Sequence, residues 1–184
     1  MIPGPILVGC LLASLPAAAF AQAANGKQAA KEKWDAFYAQ VEGFRKQATG
    51  AYDREMARDK AGDCQQADTT LAINECLGKE IETTAANYKA YAGALRSLLG
   101  IMGSDEQDRM SGPTGMPLTS KELVNEFDAA EAARQKYRGA QVTAAFDQFK
   151  GGTGAGPAAG SCELMLVRSH LREIENVYSI RLHN

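Results

Sequence analysis

Gly62-Asp63-Cys64-Gln65-Gln66-Ala67-Asp68-Thr69-Thr70-Leu71-Ala72-Ile73-Asn74-Glu75-Cys76 lies between two long stretches of helical periodicity and holds two of the chain's four cysteines. On one uninterrupted helix the rise from Cys64 to Cys76 would be roughly 18 Å, against a limit of ~7 Å between the Cα atoms of bridged cysteines. A disulfide between them therefore requires the chain to reverse here. The residues for a reversal are present: Gly62 and Asp63 can end one helix, and Asp68, Thr69 or Thr70 can cap the next. In an oxidising compartment a Cys64–Cys76 bridge would pin the first helix to the second and stabilise the fold by about 3 kcal/mol through a short closed loop. In a reducing one the same residues would be a pair of buried thiols.

Upstream of the reversal, Trp34, Phe37, Val41, Phe44, Ala48 and Tyr52 recur at three- and four-residue steps, which predicts a helix from about Lys27 to Lys60. Downstream, Leu77, Ile81, Ala85, Tyr88, Tyr91, Leu95 and Leu98 form a second stripe, with Gly100 placed as a C-cap. The Ser, Gly, Pro and Asp cluster from Gly103 to Pro117 reads as a loop. Thr119 or Ser120 then caps a third helix with Leu123, Phe127, Ala130, Tyr137, Ala145 and Phe149 on its stripe, Glu122 near its N-terminus and Lys150-Gly151-Gly152 as its stop. Thr153 to Gly160 reads as a mobile connector, and Ser161 as the cap of a last helix carrying Leu164, Val167, Leu171, Ile174 and Tyr178. No strand pattern occurs. The expected fold is all-α: a small bundle of about four helices, two helical hairpins, with a long N-terminal helix.

Composition agrees with one modest core: 45% of residues are hydrophobic, only 7% aromatic and 23% charged, so helices should meet through alanine-sized contacts. A net charge of −2 argues against nucleic acid or an anionic membrane surface as partner. At the N-terminus, the apolar run from Ile6 to Phe20 ends in Ala19-Phe20-Ala21, an A-x-A pattern expected of a signal peptide cleaved after residue 21. The run contains Pro16 and falls short of the roughly 20 residues of a bilayer span, so no integral membrane span is expected after cleavage. Leu7-Val8-Gly9-Cys10 offers the alternative of lipidation at Cys10, against which the apolar core follows that cysteine instead of preceding it. Such a signal peptide implies that the protein works in the periplasm or outside the cell.

Chemistry-bearing constellations are scarce. There is no C-x-x-C or C-x-x-C-H, and the two histidines, His170 and His183, stand far from Cys64 and Cys76, so neither a metal site nor a cofactor is expected. His170 reads as a solvated helix residue and His183 as part of a frayed tail. Cys162 with His170 two turns along the same helix lacks the orienting third group of a nucleophilic site. The expectation is a non-enzymatic protein with no catalytic residues.

The order of elements resembles a known family. Cys64 and Cys76 with Ala67-Asp68-Thr69-Thr70-Leu71-Ala72-Ile73-Asn74-Glu75 between them, Ala130-Glu131-Ala132-Ala133 leading to Tyr137-Arg138, Gly151-Gly152-Thr153, and Cys162-Glu163-Leu164 with Arg168 and Leu171 together resemble the LprI-like lysozyme-inhibitor domain. The likeness runs from about Asp63 to Tyr178. It implies a small helical protein of the bacterial envelope, secreted or lipid-anchored, with lysozyme inhibition attributed to the family's namesake. The implied organisation is a signal peptide at 1–21, an N-terminal helical extension at 22–62 and an LprI-like helical domain at 63–184.

Two positions depart from the family pattern: Arg134 stands where a Trp is usual, and Val142 where a Cys is usual. Cys162 thereby lacks its family partner and is expected as a buried free thiol, with an intermolecular disulfide as the alternative. Tyr137, Arg138, Arg168 and Leu171 are read as structural, the arginine stems lying over the core and pairing with Glu131 or Glu163; a contact to a partner is the sharper reading. The Gly151 to Gly160 segment is likewise a plain connector or a flexible element that enters a partner's cleft. The implied function is a binding protein that occludes a muramidase's cleft and its paired carboxylates, with a lysozyme or another envelope protein as partner. The alternative is a structural or adaptor protein acting through helix packing along the N-terminal stripe.

Overall fold

The computed structural model describes residues 18–102 and 118–183, with side-chain surroundings from residue 28 onward. Cys10, the first 17 residues of the expected signal peptide and the expected loop from Gly103 to Pro117 lie outside the described residues. Four helices are formed: α1 (Ala18–Ala61), α2 (Thr70–Met102), α3 (Ser120–Asp147) and α4 (Ala155–His183). The fold is all-α, with no strand among the described residues, and no described helix is long and apolar enough to cross a membrane.

The chain divides into two compact units, Met1–Ala39 and Gln40–Asn184. In the first, Trp34, Phe37 and Tyr38 touch one another, with ring centroids 5.8 Å apart for Trp34 and Phe37 and 5.6 Å for Phe37 and Tyr38. Trp34 is 59% and Tyr38 60% exposed. Lys31 pairs with Asp35 one turn on, at 2.7 Å.

The second unit is an up-down-up-down bundle whose register is written in its cross-helix contacts. Arg58 pairs with Glu80 and the Tyr52 ring meets Tyr91 at 6.1 Å, so the α1 residues of this unit run antiparallel to α2. Arg96 meets Asp128 and Tyr88 meets Glu131, an antiparallel pairing of α2 with α3. Phe127 packs on Tyr178 at 5.9 Å and Glu131 on His170, which sets α3 antiparallel to α4. Tyr91, Leu95, Leu98, Leu99 and Leu171 are fully buried at the centre, joined by Val41, Ala48 and Ala51 from α1. Burying the last three requires no bulk, which is how an alanine-rich helix comes close to its neighbours.

The helix ends follow local chemistry. Gly62 adopts a left-handed φ of 80° and its N–H bonds the carbonyls of Arg58 and Asp59, closing α1. That φ favours glycine whatever the space beside it. Thr69 caps α2 by accepting from the Ala72 N–H at 3.2 Å. Thr119 caps α3 in a reciprocal capping box with Glu122.

Three expectations are corrected. Gly100 does not cap α2, which continues to Met102; the glycine stays helical beside Val124. Thr153 to Gly160 is not a connector capped at Ser161, because α4 begins at Ala155. The Gly154 carbonyl accepts the Ala158 N–H at 3.0 Å, which puts Pro157 in the first turn, where a backbone N–H has no partner within the helix and its loss is harmless. Gly160 then packs on Leu77, where an added Cβ would come within 3.3 Å of the leucine Cβ. The third correction concerns α3. Its inward face passes through Leu123, Phe127, Glu131, Arg134 and Arg138, whereas Tyr137 and Phe149 are exposed.

Candidate binding surface

The reversal between α1 and α2 is closed by a disulfide: Cys64 and Cys76 are bridged, with their Cα atoms 5.8 Å apart. Cys162 is a free thiol, half-buried instead of buried. Both bridged cysteines are half-buried as well.

Beside the bridge lies a buried cluster of charges. Arg168, on α4 and 3% exposed, donates from Nε to Glu55 Oε1 at 2.8 Å, from Nη1 to Asp59 at 3.3 Å and to Asp63, and from Nη2 to Asp63 Oδ1 at 2.9 Å. Glu55 is wholly buried and also accepts from Thr84 at 2.6 Å and Asn87 at 2.8 Å. Burial works to raise the Glu55 pKa, but the bonds from Thr84, Asn87 and Arg168 outweigh it and hold the carboxyl below its ordinary value. The bonds that Arg168 donates to Asp63 raise its pKa, which burial alone would lower. Arg172 reaches Asp59 from the next turn of α4. Arg168 therefore pairs with Glu55, Asp59 and Asp63, not with Glu131 or Glu163 as the sequence led us to expect. Buried charges of this kind are held because removing one partner strands the other.

Tyr91, at the centre of the core, donates its hydroxyl to Glu175 at 2.9 Å. Burial, followed by the Glu175 contact, pushes its pKa well above the usual phenol value. Glu175 also meets His183 Nε2 at 2.5 Å, so His183 is tied into the last turn of α4 and is not a frayed tail. Leu171 packs at the centre of the same core.

The α3 side differs. His170, expected in solvent, is 12% exposed; its Nε2 lies 2.7 Å from Glu131 Oε1 and its Nδ1 3.3 Å from Glu173. Tyr88 also donates to Glu131. Arg134 stacks its guanidinium over the Tyr137 ring at 5.0 Å and reaches Glu173 at 3.7 Å, while its buried Nε meets no acceptor among the described residues. Arg138, one turn on, makes no hydrogen bond or ion pair among the described residues and borders a groove of about 370 Å³ between α2 and α3, floored by Ala85, Ala92 and Gly93. Lys89 and Gln135 stand on its rim. Tyr137 is 48% exposed beside it.

The structure thus separates the four motif residues. Arg168 and Leu171 face the core, Tyr137 is exposed on α3, and Arg138 is half-buried at the groove between α2 and α3. The sequence does not single out Glu55 and Asp59, marks Asp63 only as a helix stop, and marks Glu131 only as a motif residue and arginine partner. A signal existed for two of them: Glu55 sits three residues after Tyr52 and Glu131 four after Phe127, each an acid in register with a buried stripe. Comparison with protein-family models, with curated proteins and with solved structures gives no match for this chain.

Proposed function

We propose that the protein is a non-enzymatic binding protein of the bacterial envelope, exported by the signal peptide at residues 1–21, that blocks a muramidase by presenting the Tyr137–Arg138 ridge of α3 to the enzyme's cleft. The observation that supports this reading is the state of Arg138: a guanidinium left without an internal partner next to a half-exposed aromatic ring. Arg134 and Arg168, by contrast, are bonded within the bundle. A planar guanidinium fits a carboxylate through two parallel bonds, and a muramidase cleft offers two carboxyl groups a few ångströms apart. Tyrosine and arginine are the residue types that carry binding energy at such contacts.

The test is direct. Oxidised, full-length mature protein at stoichiometric concentration should slow cell-wall lysis by a lysozyme, and Arg138→Ala should raise the concentration needed by more than tenfold. Absence of inhibition across chicken-type, goose-type and invertebrate-type lysozymes overturns the proposal.

A second reading draws on the other unit, where Trp34 and Tyr38 hold an exposed aromatic cluster. An unburied stripe of this kind is what a helix-packing adaptor presents. A stable homodimer or a bound envelope protein lost in Trp34→Ala/Tyr38→Ala would favour it. Truncation through residue 60 is no substitute, because Val41, Ala48 and Glu55 belong to the bundle core.

A further inference from the structure

Asp63 and Cys64 are consecutive, and they tie the α1–α2 connection to two different helices. Cys64 is bonded covalently to Cys76 on α2, and Asp63 is held by charge to Arg168 on α4. Asp63 takes two of the four hydrogen bonds that the Arg168 guanidinium donates, the other two going to Glu55 and Asp59. Cys64 has a left-handed φ of 54°, a backbone that L side chains adopt only when the surroundings impose it. The bridge lies on one side of this backbone and the Asp63–Arg168 pair on the other. The bridge is reachable: Cys64 and Cys76 border an open depression with Gly62, Gln65 and Gln66. On its other flank, Cys64, Asp63, Arg168 and Arg172 border a cleft of about 400 Å³.

We propose that the Cys64–Cys76 disulfide is a redox-controlled latch on the Arg168 cage: reduction by a dithiol frees the 62–69 connection, withdraws Asp63 and uncovers Arg168 to the adjacent cleft. In the reaction a reductant thiolate attacks one sulfur of the bridge, forming a mixed disulfide and expelling the other as a thiolate that takes up a proton. The reductant's second thiol, as thiolate, then displaces the remaining cysteine, which is protonated in turn. Cys64 and Cys76 gain two electrons and two protons, and the dithiol leaves as its own disulfide. Because both ties act on adjacent residues, each raises the effective concentration of the other. Their coupling is reciprocal: the bridge holds Asp63 on Arg168, and the Asp63–Arg168 pair protects the bridge.

That reciprocity supplies the test. Full-length protein carrying Cys162→Ser, so that only the pair is counted, is equilibrated across ratios of reduced to oxidised dithiothreitol, and free thiols are trapped by alkylation. Asp63→Asn should shift the equilibrium about tenfold toward the dithiol, roughly 30 mV for a two-electron couple. Glu75→Gln removes an equivalent charge next to Cys76, on an exposed residue with no bond to Arg168, and should leave the equilibrium within twofold. Hydrogen exchange should show residues 62–69 losing protection on reduction while Tyr91 to Leu99 keep theirs. Equal reduction of Asp63→Asn and its parent overturns the latch, as does loss of protection through Tyr91 to Leu99, which would make the bridge a staple for the whole bundle.

Discussion

The two flanks of α4 use the same residue types to opposite ends. Toward α1 and α2, Arg168 is surrounded by Glu55, Asp59 and Asp63, and Glu55 is filled out by Thr84 and Asn87. Toward α3, Glu131 is shared by Tyr88 and His170, but Arg138 makes no hydrogen bond or ion pair among the described residues. A saturated cage is committed to holding helices together. An unsaturated edge retains binding capacity, because its charge is still hydrated and available for exchange with a partner's carboxylate. The contrast locates stability on one flank and recognition on the other.

The sharpest way to break the comparison is to empty the cage. Arg168→Met removes the closer of the two cations beside buried Glu55, leaving only Arg58 at 3.4 Å, and should lower unfolding stability by about 3 kcal/mol in urea or guanidinium titrations. Replacing both charges, Arg168→Met with Glu55→Leu, should cost less than the single change, since no stranded charge remains. A loss under 1 kcal/mol for Arg168→Met would mean the cage is ornamental and the two flanks equivalent.

Acid probes the same flank with a smaller effect. The folded Glu55 carboxyl sits below its ordinary value of 4.5, so its contribution is fully present above that value and is lost as pH falls through the folded one. The urea midpoint should therefore drop below about pH 4.5, and Thr84→Val, which removes one of the bonds that hold the pKa down, should make that drop smaller and end it at a higher pH. Next in size is Tyr91→Phe, which deletes one buried bond to Glu175 and should cost about 1 kcal/mol at neutral pH. The raised Tyr91 pKa gives the complementary alkaline signature: its contribution is present below pH 10 and is lost as pH rises above it.

How much of this is legible in the chain differs by flank. The reversal at 62–76 is written in Gly62, Thr69 and the two cysteines, because caps and disulfide spacing are local rules. The α2 and α4 stripes are legible for the same reason: Leu95, Leu98, Leu164 and Leu171 recur with helical period and are buried. The start of α4 is not, since Ala155 to Gly160 has the composition of a loop yet is helical, with Gly160 packed on Leu77. The face of α3 misleads in a different manner. Its interior positions Glu131, Arg134 and Arg138 are polar, so apolar periodicity points to the solvent side, at Tyr137 and Phe149. The cage is the least legible feature, because Arg168 finds its acids 105 to 113 residues away and no local pattern encodes that distance.

The smallest expected change in stability belongs to Arg138, and for that reason it separates the two flanks most cleanly. Having no internal partner, Arg138→Ala should shift the unfolding midpoint by less than about 0.5 kcal/mol, as should Tyr137→Ala on the same ridge. Arg96→Ala supplies the control: its exposed pair with Asp128 rims the same groove, and the bond lowers the Asp128 pKa, yet solvent screens it. If recognition resides on the unsaturated edge, Arg138→Ala and Tyr137→Ala weaken inhibition of a muramidase by more than tenfold each with the thermal midpoint unchanged, whereas Arg96→Ala stays within about threefold. If all three behave alike, the missing partner of Arg138 has no bearing on recognition, and the groove between α2 and α3 is a surface like any other.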